Sequence, residues 1–295
     1  MLSVSSRADY LFAMQQPFFD TVTPSAVKEQ LYALWQEAFG DSREFIDAFF
    51  THFPCDECAH TLSVDGRVVA ALYALPFTLY SGGRSLDAAY IYAVATSADS
   101  RGKGYMRLLM ERVEQLLRER GVGFIFLLPA GEELRKTYSR LGFETCSHME
   151  VEALAPRACD GGGMLFKEVS DASLLQGVCA SVQREHGTVA LHRQGFIALN
   201  IYNCTSQGGG TFALFCGEEV VAVAFAMVVD GALLLPGLFA RSSAAEEYML
   251  HSLCTHFGVE GLRVCRAGRG EPYCMGRSFS AGKLADVSIS LLLDK

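Results

Sequence analysis

Ala93-Val94-Ala95-Thr96-Ser97-Ala98-Asp99-Ser100-Arg101-Gly102-Lys103-Gly104-Tyr105-Met106 is the stretch on which the reading of this chain turns. Before it, residues 85–96 form a mostly apolar run that reads as a strand. After it, Tyr105, Leu109, Val113, Leu116 and Leu117 line one face, while Arg107, Glu111, Glu114, Arg118 and Glu119 take the other. That spacing predicts an amphipathic helix from Gly104 to Arg120, ended by Gly121. Two glycines at the junction let the backbone turn tightly and point successive N–H groups inward. The helix start adds unpaired donors and the positive end of its dipole. Such a loop suits a pyrophosphate, with Arg101 and Lys103 supplying charge.

The chain on either side reads as mixed α/β. Apolar residues at helical spacing through 25–53, broken at Gly40-Asp41, predict two helices around Leu31, Trp35, Ile46 and Phe49. Strands are expected over 59–64, 68–79 and 85–96, then at 122–128. A helix follows over 132–140, and a single return strand over 142–151. The second half repeats this order loosely, with helices over 172–185 and 243–257. Its strands are expected over 165–169, 212–216, 220–229, 232–240, 262–266 and, closing the chain, 287–293. Residues 156–163, with three consecutive glycines, are expected as a linker between domains 1–155 and 164–295.

Arg101-Gly102-Lys103-Gly104-Tyr105-Met106 resembles the Q/R-x-x-G-x-G/A loop of the GNAT superfamily, the acyl-CoA-dependent N-acyltransferases. The preceding residues 90–96 resemble that family's fourth strand. Thr137-Tyr138-Ser139-Arg140-Leu141-Gly142-Phe143 is similar to its F-Y-x-x-L-G-F segment. Met106 departs from the pattern, standing where the family prefers Gly or Ala. The chain also resembles the enhanced-intracellular-survival type of acetyltransferase, without its third domain.

The resemblance implies tandem GNAT-like domains, the second degenerate and walling the substrate cleft. It implies acetyl-CoA held by Val94, Ala95, Thr96, Arg101, Gly102, Lys103, Gly104, Tyr105 and Met106. The pantetheine arm would pair with Val94 and Thr96, the Val94 N–H facing the developing oxyanion. Tyr138 would be general acid to the departing thiolate in a ternary complex, the acceptor being a small-molecule or peptide amine. No residue is nominated as base. Glu44, Asp47 and Asp87 read more simply as solvated carboxylates, and the terminal carboxylate at Lys295 is a further position implied by the larger relatives. A non-catalytic acyl-CoA-binding or sensing module on the same fold is the alternative.

Other signals are weaker. His52, Cys55, Cys58 and His60 fall within nine residues, yet no second Cys-x-x-Cys completes a zinc site, so no metal is expected. The junction at 235–244 has no glycine loop, and Ser242 and Ser243 read as helix caps. Arg266-Ala267-Gly268-Arg269-Gly270 is basic but leads into Pro272, not a helix. Lys plus Arg number 25 against 33 Asp plus Glu, a net charge of −8. That balance argues against a general nucleic-acid or anionic-membrane binder. Residues 1–16 lack a secretory pattern, and 220–240 is interrupted by Asp230-Gly231 and Pro236, which favours a hairpin over a span. The ten cysteines are read as reduced thiols of a cytoplasmic protein.

Overall fold

The computed structural model describes residues 18–20, 25–279 and 286–292. Residues 1–16 and Lys295, on which two of the expectations above bear, lie outside them. The chain divides into two compact units. The first holds the described residues of Met1–Leu75 with Ala89–Val122, and the second Pro76–Ala88 with those of Gly123–Lys295.

In the first unit, β1 (Phe18–Asp20) is followed by α1 (Ser25–Phe39), α2 (Arg43–His52) and the short α3 (Cys55–Cys58). Then come β2 (Ala59–Val64), β3 (Arg67–Ser81), β4 (Arg84–Thr96), a 3₁₀ turn at Ala98–Ser100 and α4 (Tyr105–Glu119). The far ends of β3 and β4 belong to the second unit. The strands run in the order β1-β2-β3-β4. Trp35 of α1 organises the core. Its ring lies 4.8 Å from both Phe49 and Tyr73, and its Nε1 donates to Asp41 at 2.8 Å. Side chains of this size contribute about 1.5–3 kcal/mol each on full burial, which is what pins both helices to the sheet.

The second unit continues with β5 (Phe124–Leu127), α5 (Glu132–Arg140), β6 (Glu144–Thr145), β7 (His148–Leu154), β8 (Leu165–Glu168), α6 (Ala172–Gln183), β9 (Val189–His192) and α7 (Gln194–Ser206). It ends with β10 (Gly210–Cys216), β11 (Glu219–Val229), β12 (Ala232–Ala240), α8 (Ser243–Phe257), β13 (Leu262–Ala267), β14 (Glu271–Pro272) and β15 (Met275–Ser278). A seven-stranded sheet runs β14-β7-β13-β12-β11-β10-β8. Helices α6 and α7 pack against one face through Leu175, Ile197, Val223 and Phe225. Helix α8 packs against the other through Met249, Leu253, Ala224 and Leu235. The expected hairpin at Asp230-Gly231 is present, with φ of +52° and +76° at the turn. No helix among the described residues is long and apolar enough to cross a membrane.

Two expectations need correction. Residues 142–151 are two strands in different sheets: β6 pairs with β15, and β7 pairs with β13 and β14. The break falls at Cys146 and Ser147, whose N–H groups both donate to the Cys274 carbonyl, at 3.0 and 3.4 Å, instead of continuing one ladder. The closing strand over 287–293 is absent among the described residues. Ser288 makes only an isolated bridge to Val189, and Leu291 and Leu292 are both buried, which breaks the alternation of a strand. Strand β15, unread in the sequence, fills the place between β5 and β6. Residues 156–163 lie inside the second unit, between β7 and β8 of one sheet.

Candidate active site

The first unit presents the glycine loop at the end of β4. Ser97 N–H donates to Val69 O of β3 at 2.9 Å. Backbone groups alternate sides along a strand, so those of Thr96 and Val94 face away from β3. The Arg101 side chain takes up one of them, its Nε donating to Thr96 O at 3.2 Å. Ala93 sits in the left-handed region at φ +46°, which an L-residue with a Cβ rarely adopts. The strand is therefore kinked immediately before Val94.

Asp99 braces the loop. Its carboxylate accepts from Arg67 at 2.6 Å, Ser97 Oγ at 2.9 Å and Ser100 Oγ at 3.1 Å. These bonds, the one from Arg67 foremost, hold its pKa down to about 2. Ala98 N–H donates to Glu37 Oε1 at 2.7 Å, tying the loop to α1. Beyond the brace, Arg101, Gly102, Lys103 and Gly104 are all exposed.

Gly102 and Gly104 have φ of +76° and +81°, and a Cβ placed on either meets nothing within 4 Å. Crowding within the protein therefore does not explain the glycines. The backbone conformation and the open space above it do. Gly104 is the cap residue of α4 and offers no side-chain cap. The first turn of α4 has no acidic residue, so its N–H donors face the open side without a carboxylate competing for them. A diphosphate group fits this cradle: the glycines leave room, the helix start supplies donors, and Arg101 and Lys103 flank it. Met106 follows one turn before Leu109 and Met110 on the stripe that buries Val113 and Leu117. Helical phase thus turns its half-buried side chain toward the core and not over the glycines.

Tyr138 belongs to the second unit, on α5. Its ring lies 6.0 Å from that of Phe143 in an edge-on arrangement, with 5% of its surface exposed. Burial pushes the phenol's pKa up to about 12, so it stays protonated throughout the neutral range. The three carboxylates considered as bases have other employment. Asp47 accepts from the Tyr32 hydroxyl. Asp87 pairs with Arg193 at 2.6 Å. Glu44 stands in the first turn of α2, where hydrogen bonds lower its pKa.

Cys58 and His60 are buried. Desolvation raises the thiol's pKa and takes the imidazole down to about 4. Among the described residues no group of three or more His, Cys, Asp or Glu stands close enough to hold a metal. Asp99, Arg67 and Ala93 were missed in the sequence. An Asp between two serines was a legible hint at a turn brace, whereas nothing in an alanine inside an apolar run signals a positive φ.

The corresponding strand–helix junction of the second unit differs. Ser242 Oγ accepts from Ala245 N–H at 3.2 Å, capping α8 as expected. Glu246 occupies the first turn and pairs with Arg266.

Residues 21–146 match the family model of the acetyltransferase (GNAT) domain. No curated protein matches the chain in sequence. Among solved structures, a probable N-acyltransferase of unknown function from Enterococcus faecalis V583 superposes with a TM-score of 0.74 at 17% identity, covering 89% of this chain and 73% of its own. A GCN5-related N-acetyltransferase from Kribbella flavida gives 0.71 at 16% identity, with coverage of 90% and 72%. Eis1 from Mycobacterium abscessus gives 0.67 at 12% identity, with coverage of 89% and 73%. The mixed α/β fold with two sheets is that of these GNAT structures.

Proposed function

With a GNAT acetyltransferase domain at residues 21–146 as premise, we propose that the chain is an acyl-CoA-dependent N-acetyltransferase that moves an acetyl group to a primary amine. The observation that carries this reading is the start of α4, where positive-φ glycines, open space and an uncapped helix terminus coincide. Acetyl-CoA is the co-substrate, and its thioester supplies the activated carbonyl. Arg101 to Met106 would hold the diphosphate through backbone N–H groups, each charge-assisted bond adding roughly 1.5–3 kcal/mol. Val94 and Thr96 would pair with the pantetheine arm, with Ala95 between them, because the peptides of Val94 and Thr96 face away from β3. The Val94 N–H, which follows the left-handed Ala93, would be the oxyanion donor.

Tyr138 would protonate the departing thiolate. Burial raises the phenol's pKa, which keeps it protonated at neutral pH but also makes it a weaker acid, so the role rests on its place in the motif and not on its pKa. The helical phase of Met106 removes the main ground for preferring a binding module without turnover.

The test is a thiol-release assay with acetyl-CoA and a panel of primary amines, including polyamines, aminoglycosides and basic peptides. Release of CoA that depends on the amine supports the enzyme reading. Binding of acetyl-CoA without acceptor-dependent release across the panel would support the sensing module instead.

A further inference from the structure

A cavity of about 640 Å³ opens on the second unit's sheet, and none of the glycine loop's residues lines it. Its wall is apolar: Met149, Val151, Val228, Leu234 and Leu291 line it. Two of these are unusually exposed for their type, Val151 at 55% and Val228 at 36%. Apolar side chains open to solvent around a concavity are a common mark of ligand sites.

Arg263 supplies the polar element. It projects from β13 on the same face as its ladder partner Leu234. Its Nε is shut off from solvent without a hydrogen-bond partner. Among the described residues, no carboxylate or carbonyl meets any part of this guanidinium. Three residues along the strand, Arg266 is in the opposite situation, bonded to both Glu152 and Glu246. The stem of Arg263 is therefore desolvated while its fork is unmatched. A planar fork of donors in that state suits a carboxylate, which can take two bonds at once. The other charged group lining the cavity is Asp230, at the β11–β12 turn. It disfavours a second negative charge on the ligand.

We propose that this cavity is a binding site, distinct from the acyl-CoA loop, for a small monocarboxylate with an apolar chain. The carboxylate meets Arg263, and the chain lies along Val151, Val228 and Leu234. The inference does not depend on the proposed acetyl transfer.

Calorimetric titration of the full chain with sodium octanoate tests it, with 1-octanol and octylamine as neutral and cationic probes of equal chain length. Octanoate should bind at least about tenfold more tightly than either, as a charge-assisted pair adds that much. Saturating acetyl-CoA should leave its affinity unchanged. Arg263→Gln should lose about tenfold for octanoate and nothing for octanol. Val151→Asp, at an exposed position that tolerates charge in the fold, should also weaken octanoate, which decides the matter should Arg263→Gln not fold. Equal affinity for the three probes, displacement of octanoate by acetyl-CoA, or unaltered binding in the folded variants would overturn the proposal.

Discussion

The two units each carry a strand that ends in a short turn and leads into a fifteen-residue helix. In the second, Ser242 closes the helix start with its own hydroxyl, and Glu246 adds a carboxylate to the first turn. In the first, glycine stands at the cap, the first turn has no acidic residue, and the surrounding space is open. One junction caps a donor internally and gains stability. The other has no side-chain cap, and the proposed function would use its open donors for an anion. On the proposed reading chemistry sits at one junction only, and the difference lies in a handful of residues.

Variants can break or sharpen this contrast. The largest expected effect falls on chemistry. Tyr138→Phe should lower turnover about 100-fold while leaving acetyl-CoA binding intact, as loss of a general acid does. Equal losses in binding and turnover would assign the phenol a structural role. Gly104→Ala should weaken acetyl-CoA about tenfold in a direct titration, because the new Cβ enters the open side and must sit at φ +81°. In the second unit, Ser242→Ala should cost about 1 kcal/mol and lower Tm by about 2–4 °C without changing acetyl-CoA affinity.

The smallest effect is the pH dependence of the loop brace. Asp99 has its folded pKa depressed to about 2 from 3.8. Its contribution to stability is therefore present above about pH 4 and is lost as pH falls toward 2. In urea titrations, the midpoint difference between wild type and Asp99→Asn should be constant above pH 4 and shrink below it. A difference independent of pH throughout that interval would remove Asp99 from the brace.

Much of this was legible because local signals agreed. The loop Arg101–Gly104 declares itself by two glycines between an apolar run and an amphipathic run, and Glu132–Arg140, Ala232–Ala240 and Ser243–Phe257 fall where period and punctuation put them. Helix α7 was not legible. Phe196, Ile197, Leu199, Asn200, Asn203 and Cys204 are all buried, so no polar stripe marks a helical period. Strand β15 was missed for another reason: Met275–Ser278 is four residues long, and its partners Phe124–Leu127 lie far away in sequence. The division of 142–151 between two sheets likewise depends on Cys274, a partner more than a hundred residues distant. Within the candidate site, the glycines and cations were readable, but the left-handed Ala93 and the Arg67–Asp99 brace are products of tertiary geometry.

Calorimetric titration of acetyl-CoA into the wild-type chain and into Gly104→Glu bears most directly on the contrast between the junctions. The glutamate would fill the open side of the loop and repel a diphosphate, while Ser242→Gly serves as the matched change at the other junction. Binding of roughly micromolar strength in wild type and Ser242→Gly, lost in Gly104→Glu, is the predicted result. Absence of binding to wild type, or equal binding to Gly104→Glu, would contradict the assignment of the α4 terminus as the cofactor cradle.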